Sequence, residues 1–120
     1  MNTILILIQL VIALGILNVW ILRYAKATPW RGGAAKSMKE EFAVYGLPGW
    51  FMALVGVLKV LFALMLIAGI WFPWLIYPSA IGIAVLMVGA ILMHIKVKDP
   101  LKKSLPAFTM LVLALIVAFA

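Results

Sequence analysis

Four apolar runs, separated by gaps rich in charge, Gly or Pro, organise the chain at residues 3–22, 50–72, 76–95 and 104–120. A helix rises ~1.5 Å per residue, so the first run covers about 30 Å, one hydrocarbon thickness. The last supplies only about 16 residues, roughly 24 Å, and fits where the bilayer thins or neighbouring helices shield its end. Pro73, with Pro78 beyond it, breaks the second run and predicts a tight hairpin of Trp74, Leu75, Ile76 and Tyr77. The second and third spans are therefore antiparallel neighbours. Ser104 is placed to cap the fourth span, with Pro106 tolerated in its first turn. The pattern predicts an all-α membrane protein, a four-transmembrane-helix bundle.

The first gap is too long for a plain turn. Between the breakers Gly32-Gly33 and Gly46-Leu47-Pro48, the stretch Ala34 to Tyr45 places Met38, Phe42 and Tyr45 at helical spacing. This predicts a short amphipathic helix in the interface, with Lys36, Lys39, Glu40 and Glu41 turned to water, headgroups or the bundle mouth. Aromatic residues mark two borders: Trp20, Tyr24, Trp30, Tyr45 and Trp50 near one, Trp71, Phe72, Trp74 and Tyr77 near the other.

Charge orients the bundle. Of the 10 Lys and Arg residues, Arg23, Lys26, Arg31, Lys36 and Lys39 fall in the first gap and Lys96, Lys98, Lys102 and Lys103 in the last. The middle gap has none. The positive-inside rule then predicts both termini outside and both basic loops in the cytoplasm, N-out/C-out. At 120 residues and 68% hydrophobic, the chain has too little polar surface to clothe a soluble globule. The net charge of +7 flanks apolar spans rather than forming a basic face. Anionic lipid headgroups are thus the expected partner, and nucleic acid is not. With no cysteine, thiol redox chemistry, thiolate metal sites and disulfides are excluded within the chain. The first run resembles a secretory leader only in the small-x-small triplet Ala25-Lys26-Ala27. No basic residue precedes it, and Arg23 and Lys26 follow as a stop signal, so it is expected to remain as a span.

Lys59 is the one cation within an apolar run, where insertion costs roughly 2.5–3.5 kcal/mol. With the second span starting near Trp50, its Cα lies about 13 Å deep, Asn18 about 6 Å deep, and His94 near the surface end of the third span. These three predict a cytoplasm-facing polar pocket, with Glu40 or Glu41 as a carboxylate partner to the Lys59 ammonium. Such a pocket suits a molecule with an apolar body and one polar head, a quinone or a lipid, with Phe62, Met65, Leu66, Leu86 and Met93 bounding its tail. The competing reading is a lysine that snorkels and fixes helix register without binding anything. Asn18 and Gln9 are expected as interhelical hydrogen-bonding glue, and Gly82 and Gly89 as close-packing positions. The Ser and Thr residues lack a His-carboxylate partner set, the three acids lack metal-ligand spacing, and one histidine cannot ligate haem from both sides. No catalytic or metal residue is assigned, and no intrinsic cofactor is expected.

The stretch FAVYGLPGWFMALVGVLKVLFALMLIAGIWFP, followed by GAILMHIKVKDPLKKSLPAF, resembles the DoxX-like family of small four-helix bacterial and archaeal membrane proteins. The similarity covers roughly residues 40–110. It is carried by Gly46-Leu47-Pro48, by Gly56-Val57-Leu58-Lys59, and by His94-x-Lys96-x-Lys98-Asp99-Pro100 leading to Pro106-Ala107. The resemblance implies either glutamate or lysine at the Lys59 position, so a proton-carrying role cannot simply be transferred. The resemblance implies a multi-pass protein of a prokaryotic cell (inner) membrane, associated with respiratory or redox complexes, since the family is named from a quinol-oxidising system. The first functional expectation is an accessory membrane subunit of a quinone-linked assembly, with redox-complex subunits or a second copy as partners. The alternatives are a small transporter of a neutral or anionic amphipathic molecule and a purely structural bundle. Export of cationic drugs is disfavoured, because every carboxylate lies in a loop.

The charge bias is directly testable. In this cysteine-free chain, an impermeant thiol reagent applied to intact cells should modify Ile76→Cys and spare Lys36→Cys and Lys102→Cys. The reverse labelling pattern contradicts the orientation.

Overall fold

A tryptophan lying in the notch left by a glycine joins the first span to the second. The computed structural model, which describes residues 2–120, shows how the chain brings them there. Helix α1 (Thr3–Leu17) is capped by Asn2, whose side-chain oxygen accepts from the Ile4 amide. It gives way to a π turn at Asn18–Leu22. A π turn holds one residue more than an α turn and so re-aims the side chains that follow it. Trp20 sits within that turn, against Gly56 of the next span, where an added Cβ would stand 2.6 Å from the ring.

Helix α2 (Met38–Val44) is the amphipathic helix of the first loop, shorter at its start than Ala34. Ser37 decides the boundary as the N-cap: its hydroxyl accepts from the Glu40 amide and donates to the Glu40 carboxylate at 3.3 Å. Met38, Phe42 and Tyr45 are all buried, as the spacing requires. At the other end Gly46 takes φ 76°, with Gly46 N–H donating to Ala43 and Leu47 N–H to Phe42. This is a Schellman turn, and the left-handed position favours a residue without Cβ.

Helix α3 (Gly49–Ala68) stops four residues before the expected Phe72. Gly69 follows it, at a point where α4 returns so closely that a Cβ there would lie 2.7 Å from Ile76. The connection therefore runs from Gly69 through a 3-10 turn at Pro73–Leu75, and not through a hairpin at Trp74–Tyr77. Helix α4 (Ile76–Lys96) takes Pro78 into its first turn, where the missing N–H has no intrahelical partner to lose. Helix α5 (Leu105–Phe119) follows a 3-10 turn at Leu101–Ser104. Ser104 sits at the N-cap position but its side chain makes no cap hydrogen bond. The 3-10 turn extends the apolar stretch to 19 residues, Leu101–Phe119, which removes most of the shortfall expected for the last span.

Four helical stretches are thus long and apolar enough to cross a membrane: Thr3–Leu22, Gly49–Ala68, Pro73–Lys96 and Leu101–Phe119. They close a ring in which α1 packs on α3, α3 on α4, α4 on α5, and α5 on α1. The long axis is 42 Å, the thickness of a bilayer with its headgroups. The centre is Ile12, Ala13 and Ile16 of α1, Ala63 and Leu66 of α3, Ala80, Ile83, Ala84 and Met87 of α4, and Ala107, Ala114 and Val117 of α5. Half of these are alanine. Lipid rewards no helix for burying a leucine, so close backbone approach and dispersion hold the ring, while large aliphatics such as Leu7, Val57, Val85 and Ile116 face outward. The Pro73 turn lies at the same end as both chain termini, with Tyr77 and Phe119 in edge contact at 6.0 Å. Both basic loops lie at the other end.

Of the two glycines expected to pack closely, only Gly82 does: an added Cβ would lie 2.5 Å from Phe62, whereas at Gly89 nothing stands within 4 Å. Gly82→Ala should therefore lower unfolding stability in detergent by about 1–3 kcal/mol. Gly89→Ala should be neutral or slightly stabilising. Equal effects at the two positions contradict this packing.

Candidate functional site

Two carboxylates close the basic end. Glu41 points inward from α2 and accepts from Arg31 at 2.9 Å, from the Tyr45 hydroxyl at 2.7 Å and from the Gly32 amide at 3.2 Å. Arg31 is only 3% exposed. Its remaining donors reach the carbonyls of Lys26, Arg23 and Tyr24, so the stretch between α1 and α2 wraps around one guanidinium. A buried charge without partners would cost several kcal/mol, whereas one that is fully hydrogen-bonded fixes the loop's shape. Tyr45 keeps its proton: burial first, then the Glu41 charge and hydrogen bond, push the phenol well above its ordinary range. It therefore remains a donor to Glu41.

Asp99 is the second centre. At the end of α4, Lys98 takes φ 59°, Lys98 N–H donates to Ile95, and Asp99 N–H donates to His94. This is another Schellman turn, with lysine where glycine is usual. The turn brings Asp99 back over α4, where His94 Nδ1 donates to Oδ2 at 2.8 Å. The Gly33 amide donates to Oδ1 at 3.0 Å, and Lys103 lies 3.8 Å away while donating to the Gly33 carbonyl. Burial alone would raise the Asp99 carboxyl. The hydrogen bonds from His94 and Gly33 and the Lys103 charge outweigh burial and hold it below the usual carboxylate range. Lys96 ties in the end of α2 by donating to the Tyr45 carbonyl at 2.8 Å.

The predicted pocket residues are thereby distributed. The Glu40 carboxylate accepts from the Ser37 hydroxyl at the surface, Glu41 serves Arg31 and Tyr45, and His94 serves Asp99. The Lys59 ammonium stands over the Trp20 ring, 5.5 Å from its centroid, with no hydrogen bond or ion pair among the described residues. The expected contact with Asn18, Glu40 or Glu41 is replaced by this cation–π contact, because the π turn delivers an aromatic face to that depth. Asn18 begins the π turn through its backbone and bridges no helices through its side chain. Gln9 does bridge them, donating from Nε2 to the Leu66 carbonyl at 3.1 Å.

A chain of rings joins the separated members. His94 meets Tyr45 at 5.9 Å, Tyr45 meets Phe42 at 6.1 Å, and Phe42 meets Trp20 at 6.0 Å, the ring beneath Lys59. Trp20 and Tyr24 also wall a groove of about 580 Å³ that runs down the outer face of α3 along Met52, Ala53, Gly56, Val57, Val60, Leu61 and Leu64. Phe62, Met65, Leu66, Leu86 and Met93 do not line it: Phe62 packs on Gly82 and Leu66 is in the core.

This arrangement uses the residues that carried the family resemblance, and the family comparison agrees: residues 25–119 match the DoxX-like family. The chain belongs to the DoxX-like family. The match takes in everything from α2 to the end of α5, together with the loop around Arg31. No curated protein and no solved structure matches. Within this DoxX-like chain, sequence reasoning missed Arg31, Asp99, Lys103 and Trp20. The i,i+4 pairs Glu41–Tyr45 and Asp99–Lys103 were present as a signal.

Asp99 gives the basic end a pH dependence. A carboxylate whose folded pKa is depressed stabilises the fold above its unfolded value, near ~3.9, and loses that contribution as pH falls through the lower folded value. Asp99 should therefore add no pH dependence to thermal unfolding in detergent near neutrality, and stability should fall in acid. Asp99→Asn should cost about 1–3 kcal/mol at neutral pH and flatten the acid limb. An unchanged acid limb contradicts the assignment.

Proposed function

We propose that this chain is an accessory integral-membrane subunit that holds an amphipathic molecule, a quinone or a lipid, on the α1–α3 face at the basic end. The observation that carries the reading is the Lys59 ammonium held over the Trp20 ring that walls the apolar groove. A groove of about 580 Å³ falls within the range of small-molecule sites, and an aliphatic wall ending at Trp20, the ring that carries the Lys59 ammonium, suits an apolar tail ending in a carbonyl, hydroxyl or anionic group. The bilayer supplies such molecules directly. Family membership supports a small multi-pass membrane protein.

In this reading the basic end faces the cytoplasm of a prokaryotic cell, and its exposed lysines meet anionic headgroups. Partners carrying flavin, haem or iron-sulfur centres would use the bound molecule. Holding is favoured over transport by the tightly filled middle of the bundle, where Ile12, Ala63, Leu66 and Ile83 are fully buried.

Lys59→Met keeps much of the side-chain volume and removes the charge. A head-group hydrogen bond worth about 0.5–2 kcal/mol corresponds to roughly a 2- to 30-fold loss of co-purifying quinone or lipid, measured by extraction and mass spectrometry. Insertion should be intact or improved. Equal retention by Lys59→Met and the parent makes Lys59 a register-fixing residue and removes the site.

A further inference from the structure

Every carboxylate side chain is engaged away from Lys59. Glu40 accepts from Ser37, Glu41 from Arg31 and Tyr45, and Asp99 from His94 and Gly33. Lys59 is also the one cation in the interior of a membrane-spanning stretch, the others lying in the loops or at the ends of spans. The Trp20 face attracts its charge without neutralising it. Nor is the ammonium sealed. A partnerless nitrogen closed off by protein would be a buried orphan, and among the described residues the one such side-chain atom is Gln9 Oε1. Lys59 is half-buried, and its Nζ is open to a group arriving from outside the chain.

The groove that ends at Trp20 limits what that group is joined to. From Met52 to Leu64 it follows ~18 Å of helix, close to the ~15 Å of hydrocarbon in one leaflet. Val57, Leu61 and Leu64 are exposed, so it opens sideways to the acyl chains of the bilayer. Trp20 lies just inside the border of the first span, Thr3–Leu22. An anion meeting the ammonium there must stand at the very end of its own chain. The carboxylate of a fatty acid does so, whereas the phosphate of a phospholipid sits farther out, behind the glycerol.

We infer that the occupant is a single-chain carboxylate, a fatty-acid anion whose tail lies along α3 and whose head pairs with Lys59 beside Trp20. This rests on the reading of the groove as an amphiphile site and names its ligand class. A carbonyl or hydroxyl head would accept a hydrogen bond but leave the positive charge uncompensated in a medium of low dielectric. A carboxylate supplies the missing counter-charge. The flexible four-carbon stem of Lys59 carries the ammonium from the ring face to a carboxylate at the ring's edge. Tyr24 adds a second donor on the same wall, since its hydroxyl has only the Met52 sulfur, a weak acceptor, at 3.4 Å.

The test uses the full chain in phosphatidylcholine nanodiscs and two photoreactive probes: stearic acid carrying a mid-chain diazirine, and the methyl ester of the same acid. At pH ~9 the free acid is ionised. After illumination and peptide mapping, the acid should label Val57, Val60, Leu61 and Leu64 about tenfold more than the ester at equal bilayer content. Lys59→Met should bring the acid down to the ester's level, and Lys59→Arg should keep the preference. Excess oleate should suppress the labelling, and the same amount of phosphatidylglycerol should not. Equal labelling of the groove by acid and ester overturns this inference and leaves the amphiphile site standing. Labelling of the groove by neither probe above the level at Val85 and Leu92 of α4 overturns both. A preference unchanged in Lys59→Met, or suppression by phosphatidylglycerol as strong as by oleate, also overturns the inference. The comparison of the two probes on the parent chain stands even where a variant fails to fold.

Discussion

The Asp99 carboxylate accepts from His94 on α4 and from the Gly33 amide in the first loop, with the Lys103 cation beside it in the last. The first loop and the α4–α5 connection, 66 residues apart at Gly33 and Asp99, meet at this one group. Few other polar contacts could hold them, because lipid offers no hydrophobic drive to press a loop onto the bundle. A chain with ten cations and three acids must also use its carboxylates sparingly. Glu41 gathers the first loop around Arg31, and Asp99 pins that loop to the third. Between them α2 is held at the basic end of the bundle, with Phe42 and Tyr45 buried. Phe42 then backs Trp20, and Trp20 takes up the Gly56 notch beneath Lys59.

Seen this way, Lys59 needs no carboxylate. Pairing it with Glu41 would have left Arg31 buried without its partner, and each of these charges is costly alone. The chain instead offers a ring face, which attracts a cation without demanding a counter-charge. An ammonium so placed keeps its hydrogen-bond donors for something else, and a head group in the adjoining groove is the nearest candidate.

Much of the fold was legible because lipid imposes simple lengths. Four apolar runs, two prolines and a one-sided lysine distribution define the spans, and Met38, Phe42 and Tyr45 define the buried face of α2. The boundaries that moved were set by local detail: the Ser37–Glu40 cap, the Gly69 crossing and the 3-10 turn before α5. The site was less legible. Depth along a helix placed Lys59, Asn18 and His94 in the same half of the bundle, but depth says nothing about azimuth, and the π turn at Asn18–Leu22 changes it. Asp99 and Arg31 read as loop charges because a Schellman turn with lysine in the left-handed position, and a loop folded over its own carbonyls, leave almost no mark in composition.

The account rests on an amphipathic molecule lying along α3 with its head at Lys59. A crystal structure grown from a lipidic mesophase tests this most directly. Continuous tail density following Gly56, Val57, Val60, Leu61 and Leu64, ending in a polar group within hydrogen-bond distance of the Lys59 Nζ above Trp20, is the predicted result. A bare groove, with the Lys59 side chain turned away from Trp20, contradicts it.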